Sequence, residues 1–78
     1  MNNTDLSRAV AEKLGVPYII HDPNTGLDYP QNYATEWSLI GPEIEKRYSN
    51  PEFRLAVLVV HMSGETLPRA ACLAILEE

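Results

Sequence analysis

The sequence has one cysteine, few basic residues and no long apolar run, and each shortage narrows the class of protein. Cys72 stands alone, so no disulfide can form within the chain, which suits a reducing compartment. The longest apolar stretch, Leu55–Val60, is far shorter than the roughly 20 residues that a membrane-spanning helix needs. Since no secretory leader is recognisable either, we expect a cytoplasmic protein without membrane contact.

Basic residues are outnumbered by acidic ones, six against 11, which gives a net charge of −5. Direct nucleic-acid binding requires a cationic surface that displaces counterions from phosphates, and the six basic residues form no run. We therefore expect no direct nucleic-acid partner. A chain of 78 residues predicts a single domain, 1–78, with a thin core that often needs support from self-association.

The first third of the chain predicts a helix followed by a β-hairpin. Asn3 or Thr4 can cap the helix and Gly15 supplies its left-handed stop. The β-branched and aromatic run 16–21 predicts a strand, the segment 22–26 has turn chemistry, and 27–29 predicts a returning strand. The apolar face of the helix consists of Leu6, Val10 and Leu14.

The middle of the chain predicts a second helix and an ambiguous apolar segment. The helix starts between Asn32 and Ala34 and runs toward Tyr48, with a kink or break expected at Gly41-Pro42. The segment 53–62 is rich in β-branched residues and is interpreted as a buried strand. The alternative is a helix, because Asn50-Pro51 also fits a helix start.

The last helix is predicted over Leu67–Glu77 with Thr66 as its cap. It carries no charged residue between Ala70 and Leu76, so it is apolar almost all round. Such a helix is either deeply buried or shared with another subunit. Because full burial is difficult in a domain this small, Leu73 and Leu76 are the predicted contacts of a homo-oligomer.

No residue pattern indicates catalysis or a metal. Cys72 lies on the apolar last helix, where a free cysteine usually serves as a small core residue. His21 and His61 could meet near Asp22 or Asp28, but neither histidine has the tight ligand spacing of a zinc site. No glycine-rich phosphate loop is present. We therefore expect no catalytic residue, no metal and no cofactor.

Aromatic residues give the best candidate for a binding surface. They are enriched at the energetic centres of protein interfaces. The loop 29–33 is polar, is stiffened by proline and carries two tyrosines, and Trp37 follows shortly after it. The competing interpretation is that most of these rings fill a thin core. The predicted binding residues are Tyr29, Gln31, Asn32, Tyr33 and Trp37.

Three stretches resemble a known family. They are Val10-Ala11-Glu12-Lys13-Leu14, then Tyr33-Ala34-Thr35-Glu36 with Ile44-Glu45-Lys46, and Ser63-Gly64-Glu65-Thr66-Leu67-Pro68-Arg69-Ala70-Ala71-Cys72-Leu73-Ala74. Together these look like the phage ABA sandwich domain family of small bacteriophage and prophage proteins. The sequence departs from that pattern at Gly41-Pro42, and the region before the last helix is short for a second hairpin. The resemblance implies a small α/β/α layered sandwich and implies no reaction, cofactor or catalytic residue.

The expected fold is therefore α/β, with roughly three helices and a short two- to three-stranded sheet. The expected function is binding of a bacterial host or defence protein in the cytoplasm of a bacterial host cell, in host takeover or anti-defence, without catalysis. The alternative is a module that holds a small ligand, a nucleotide or metabolite, in a homo-oligomer near the aromatic loop. An enzyme is the third and weakest hypothesis.

Overall fold

Four helices and one β-hairpin make up the computed structural model, which describes residues 1–78. The elements are α1 (Asn3–Leu14), β1 (Ile19–Asp22), β2 (Leu27–Pro30), α2 (Trp37–Arg47), α3 (Pro51–Met62) and α4 (Leu67–Leu76). The prediction of a mixed helix and sheet protein is confirmed, with four helices where roughly three were expected. None of these helices combines the length and the apolar content that crossing a membrane requires.

Helix α1 has the predicted stop and a different cap. The side chain of Asn2, and not Asn3 or Thr4, accepts a hydrogen bond from the Asp5 backbone N–H at 2.7 Å. Gly15 ends the helix at φ 73°, a left-handed conformation that glycine adopts without steric cost. Its N–H donates to the last carbonyls of the helix, which satisfies acceptors that the helix itself leaves free.

The hairpin forms where the sequence predicts it, although the first strand starts later than expected, at Ile19, and the second strand extends by one residue to Pro30. β1 and β2 are antiparallel, and Ile19 lies opposite Pro30 while Asp22 lies opposite Leu27. The Asp22 carboxylate accepts from the Asn24 N–H at 2.9 Å, and Gly26 closes the turn at φ 72°. No residue of either strand is buried, so the hairpin lies outside the helical core.

Helix α2 begins at Trp37, later than predicted, because the chain turns at residues 33–35. Of the kink or break expected at Gly41-Pro42, the break is absent, since the helix continues to Arg47 with Pro42 inside it. A proline in a helix leaves one carbonyl, here that of Ser38, without its donor. Ser38 and Pro42 are both exposed, so water can satisfy that carbonyl.

The prediction of a strand at 53–62 is wrong, since this segment forms all of α3 after its first two residues. Asn50 caps the helix by accepting from the N–H groups of Glu52 and Phe53, and Pro51 occupies its first turn. The valines disfavour a helix by only a few tenths of a kcal/mol each, and the cap opposes that preference. The hairpin strands pair only with each other, so a strand here would also lack a hydrogen-bonded neighbour.

Helix α4 is the centre of the molecule, and α1, α2 and α3 each pack against it. It spans Leu67–Leu76, close to the prediction, although the Thr66 side chain makes no capping hydrogen bond. Its small side chains allow neighbouring helices to approach closely. The buried apolar cluster consists of Leu6, Val10, Ala11, Tyr33, Ala34, Ile40, Phe53, Ala71, Cys72, Ala74 and Ile75.

Candidate functional site

The predicted aromatic patch is divided between the core and the surface. Tyr33 is 7% exposed and belongs to the core, and its burial raises the pKa of its phenol. Gln31 and Asn32 are half-buried beside it. Tyr29 is exposed on β2, and Trp37 is 54% exposed at the start of α2. The structure therefore leaves Trp37 and Tyr29 as the accessible aromatic residues of the five predicted positions.

The segment before α2 is held inward by a hydrogen bond between the backbone of Ala34 and a residue distant in sequence. The buried hydroxyl of Ser7 on α1 accepts from the backbone N–H of Ala34 at 3.0 Å. This contact holds the segment before α2 against α1 and places Ala34 in the core. No local pattern indicates this pairing, because Ser7 and Ala34 are 27 residues apart.

An open groove of about 340 Å³ lies beside Trp37. It is formed where α1, α2 and α4 begin, so three helix starts meet around it. We refer to it as the Trp37 groove. Its lining residues are Asn3, Ala34, Thr35, Trp37, Thr66, Pro68 and Arg69.

Arg69 organises one wall of the Trp37 groove. Its guanidinium donates to the Glu65 carboxylate at 2.5 Å, to the Asn3 side chain at 2.6 Å and to the Met1 carbonyl at 2.7 Å. These contacts fix the start of α1 against α4. The N-cap residues of α2 and α4 are Glu36 and Thr66. Neither of their side chains accepts a hydrogen bond from a backbone N–H of its helix. The groove thus combines one exposed aromatic ring, a cation held in place by Glu65 and Asn3, and the starts of α2 and α4, which lack side-chain caps.

A second apolar surface lies on α3, and sequence reasoning missed it because this segment was predicted to be a strand. We call it the α3 face, which consists of Leu55, Leu58, Val59 and Met62. These side chains are 52–77% exposed. Phe53 points the other way and is buried in the core. A largely apolar groove of about 240 Å³ adjoins the face between Tyr48, Leu58 and Leu67.

The predicted oligomer contacts lie on α4. Leu73 and Leu76 are both half-buried and pack against the core cluster. Each therefore presents less free surface than the residues of the α3 face. Their apolar character serves, at least in part, the packing of the single chain.

The groups considered for catalysis or metal binding are dispersed. Cys72 is buried, and burial raises the pKa of its thiol to about 12 even though the nearby charge of Arg69 opposes the shift. His21 Nδ1 lies 2.6 Å from Asp28 Oδ1 across the exposed hairpin. His61 Nδ1 lies 2.8 Å from the Glu65 carbonyl at the end of α3. No group of three or more His, Cys, Asp or Glu side chains is arranged to hold a metal ion.

Comparisons with protein-family models, with curated proteins and with solved structures found no match to this chain. The resemblance to the phage ABA sandwich domain family accordingly rests on the short motifs quoted above. What the chain binds must be argued from its surfaces. The surfaces open to a partner include the Trp37 groove, the α3 face and the exposed apolar side chains of the hairpin.

Proposed function

We propose that this chain is a non-catalytic interaction protein that binds a bacterial host or defence protein through the Trp37 groove. The observation that carries the proposal is the exposed ring of Trp37 at the edge of a groove built from three helix starts. The resemblance to phage proteins supplies the host setting, host takeover or anti-defence. The partner itself is not specified by these features.

The residues around Trp37 are of the kinds found at the centre of protein–protein interfaces. Tryptophan is enriched among the residues that dominate binding energy, and such residues pair with pockets that exclude water. Trp37 is the single tryptophan of the chain and leaves more than half of its side chain exposed. The adjoining groove offers space for a side chain of the partner, and its polar rim offers hydrogen bonds.

The electrostatic character of the Trp37 groove favours a particular kind of partner segment. The helix starts carry partial positive charge, and the guanidinium of Arg69, which is paired with Glu65, lines the groove beside them. A partner loop that presents a carboxylate or backbone carbonyls beside an apolar side chain fits this arrangement. At this groove the local positive potential attracts a carboxylate, whereas the net charge of −5 of the whole chain repels it at longer range.

The layered α/β/α arrangement implied by the resemblance is part of this proposal. The hairpin has exposed apolar side chains, among them Ile19, Leu27 and Tyr29, and no helix covers them. A partner that packs on the hairpin would supply the missing layer. Tyr29 would then contribute to binding together with Trp37.

The proposal is tested by the dependence of binding on Trp37. The tagged protein is used to capture a partner from bacterial lysate, and the partner is then purified and its affinity measured for wild type and variants. Trp37→Ala is expected to weaken binding about 30-fold or more, the effect of losing a central residue. The matched control Tyr48→Ala removes another exposed aromatic ring and is expected to retain binding. Equal affinities for wild type and Trp37→Ala would contradict the proposal.

The alternative function is binding of a nucleotide or metabolite in the same groove, held within a homo-oligomer. Its volume of about 340 Å³ lies at the lower end of the range for small-ligand sites. Trp37 can stack on a planar ring, and Arg69 can attract a phosphate or carboxylate. To test this alternative, each nucleotide of a panel is added to the protein while the fluorescence of Trp37 is recorded. The Arg69→Gln variant is measured in the same way and is expected to bind more weakly. A panel that leaves both fluorescence and melting temperature unchanged would count against it.

A further inference from the structure

The α3 face has the spacing of a helix–helix contact. Leu55, Leu58, Val59 and Met62 follow one another at i, i+3, i+4 and i+7, which places them in one continuous stripe along the outside of α3. The opposite side of the helix, around Phe53, packs on α4. Helix α3 is therefore apolar on two sides, and one of them has no partner within the chain.

The extent of this surface is close to what a dimer requires. With the neighbouring Tyr48 and Leu67, the exposed apolar side chains form a patch on the order of 600 Å², at the upper limit of what monomers leave exposed. A stable interface of standard size buries about 800 Å² on each partner. The apolar patch would supply most of that area on each copy, and polar residues around it would have to supply the rest.

The α3 face also lacks acidic residues. Two copies of this acidic chain can therefore approach along it without repulsion between carboxylates. The segment 53–64 contains no Asp or Glu, although the whole chain carries 11. The guanidinium of Arg54 lies 5.4 Å from the Tyr48 ring centre, a cation–π contact that holds this charge at the border of the stripe. Two copies would therefore bring apolar side chains together while their carboxylates stay apart.

We propose that the α3 face is a self-association surface, on which α3 of a second copy packs antiparallel about a twofold axis. The centre of the stripe lies between Leu58 and Val59, so Leu58 would contact Val59 of the partner subunit. Leu55 would contact Met62 of the partner subunit. The same four side chains serve both copies, as an isologous interface demands, and the opposed helix dipoles favour the antiparallel orientation.

This inference is independent of the function proposed for the Trp37 groove. The groove lies at the start of α2 and α4, and none of its lining residues belongs to α3. Loss of the dimer therefore does not remove Trp37, and loss of Trp37 does not remove the dimer. The two proposals fail separately.

The first test is the oligomeric state measured by sedimentation equilibrium over a wide concentration range. The wild type is expected to reach twice the 8.7 kDa mass of the chain. Val59→Glu places two carboxylates near the twofold axis and is expected to raise the dissociation constant at least about 100-fold, with an unchanged circular dichroism spectrum. Leu27→Glu, at an exposed apolar site on the hairpin, is the matched control and is expected to remain dimeric.

A wild type that stays monomeric at about 100 µM, in the micromolar to millimolar range of weak association, would overturn the proposal. So would a Val59→Glu variant that dimerises as tightly as the wild type. A dimer lost in Leu27→Glu and kept in Val59→Glu would assign the interface to the hairpin and also overturn it. If the α3 face binds a different protein and not a second copy, the purified wild type will be monomeric.

The second test concerns the orientation of the helices. In a Cys72→Ala background, the double variant L55C/M62C is expected to form a disulfide-linked dimer on mild oxidation, because the two positions face each other across an antiparallel pair. L55C alone is expected to cross-link far less, since its two copies would lie at opposite ends of the contact. Efficient cross-linking of L55C alone would indicate parallel helices and overturn the antiparallel arrangement.

Discussion

Helices α3 and α4 are both rich in apolar residues, and yet they occupy opposite places in the molecule. Of the ten residues of α4, six are buried, and three other helices pack against it. Of the 12 residues of α3, Phe53 alone is fully buried, and one side of the helix faces outward. Apolar composition therefore does not determine which helix forms the centre.

The size of the side chains separates the two helices. The buried residues of α4 include Ala70, Ala71 and Ala74, whose small volumes let several helices approach one axis. The outward residues of α3 are leucine, valine and methionine, which project from the surface and extend its apolar area. Small residues suit a helix that is surrounded by its own chain, and large ones suit a helix that meets a separate surface.

The largest difference between these helices is expected from truncating one side chain on each. Ile75→Ala removes a fully buried side chain of α4 and is expected to cost about 2–5 kcal/mol of unfolding free energy. Leu55→Ala on the α3 face is expected to cost less than about 1 kcal/mol when both are measured in the monomeric Val59→Glu background. Urea unfolding provides both values. Similar losses at the two positions would refute the contrast between α4 and α3.

Enlarging a side chain tests the role of the small residues. Ala71→Leu adds volume at a fully buried position and is expected to cost about 1–3 kcal/mol, because neighbouring helices must move apart. Val59→Leu adds a methylene on the exposed α3 face and is expected to change stability by less than about 0.5 kcal/mol. Thermal unfolding followed by circular dichroism distinguishes them. An unchanged melting temperature for Ala71→Leu would show that the neighbouring helices leave room around α4.

Helices α3 and α4 also differ in their N-terminal caps, where we expect a smaller difference in stability. Asn50→Ala removes a side chain that accepts from two backbone N–H groups at the start of α3, and about 1 kcal/mol of stability is expected to be lost. Thr66→Ala alters the cap of α4, where no side-chain hydrogen bond exists, and is expected to have little effect. Equilibrium unfolding in urea measures both. A larger loss for Thr66→Ala would reverse the predicted order.

The smallest expected effect concerns ion pairs that connect α2 with the end of α4. Glu43 binds Arg47, and Arg47 also binds Glu78 at 2.6 Å. Burial tends to raise the pKa of Glu43, but hydrogen bonds and charges of Lys46 and Arg47 outweigh it and hold this pKa below its ordinary value of 4.5. A lowered folded-state pKa stabilises the protein above about pH 4.5, and this contribution is lost as pH falls through the folded-state pKa.

Glu43→Gln is therefore expected to lower stability at pH 7 by about 1 kcal/mol or less. The difference from the wild type should shrink as pH falls through the lowered pKa of Glu43 toward about pH 2, because the protonated carboxyl then resembles the amide of the variant. Unfolding free energies at the two pH values check this. A difference that persists at low pH would assign the effect to packing of Glu43 and not to its charge.

Local signals explain the parts of the fold that the sequence predicts well. Gly15, the turn at 22–26 and the Pro68 region each act over a few residues, and α1, the hairpin and α4 appear close to their predicted positions. The segment 53–62 was misassigned because valine content favoured a strand while the Asn50 cap favoured a helix. Which signal prevails depends on whether a neighbouring strand is available, and that is a property of the whole fold.

The candidate site could be predicted only in part for a similar reason. The sequence predicts Trp37 and Tyr29 as binding residues, and both are exposed, which leaves their role as a prediction. Tyr33 is predicted with them but is buried, next to Ala34, whose backbone N–H binds Ser7 from across the chain. The Trp37 groove unites residues from 3 to 69, and no local pattern reveals that such positions converge.

The position of the hairpin outside the core has a consequence for how the molecule opens. An isolated two-stranded hairpin is only marginally stable, and this one has no buried residue to couple it to the helices. Its amide protons should exchange with solvent through local opening, whereas those of α4 should require unfolding of the whole core. Proteases should accordingly cut first near the turn at 22–26, while the helical part remains folded.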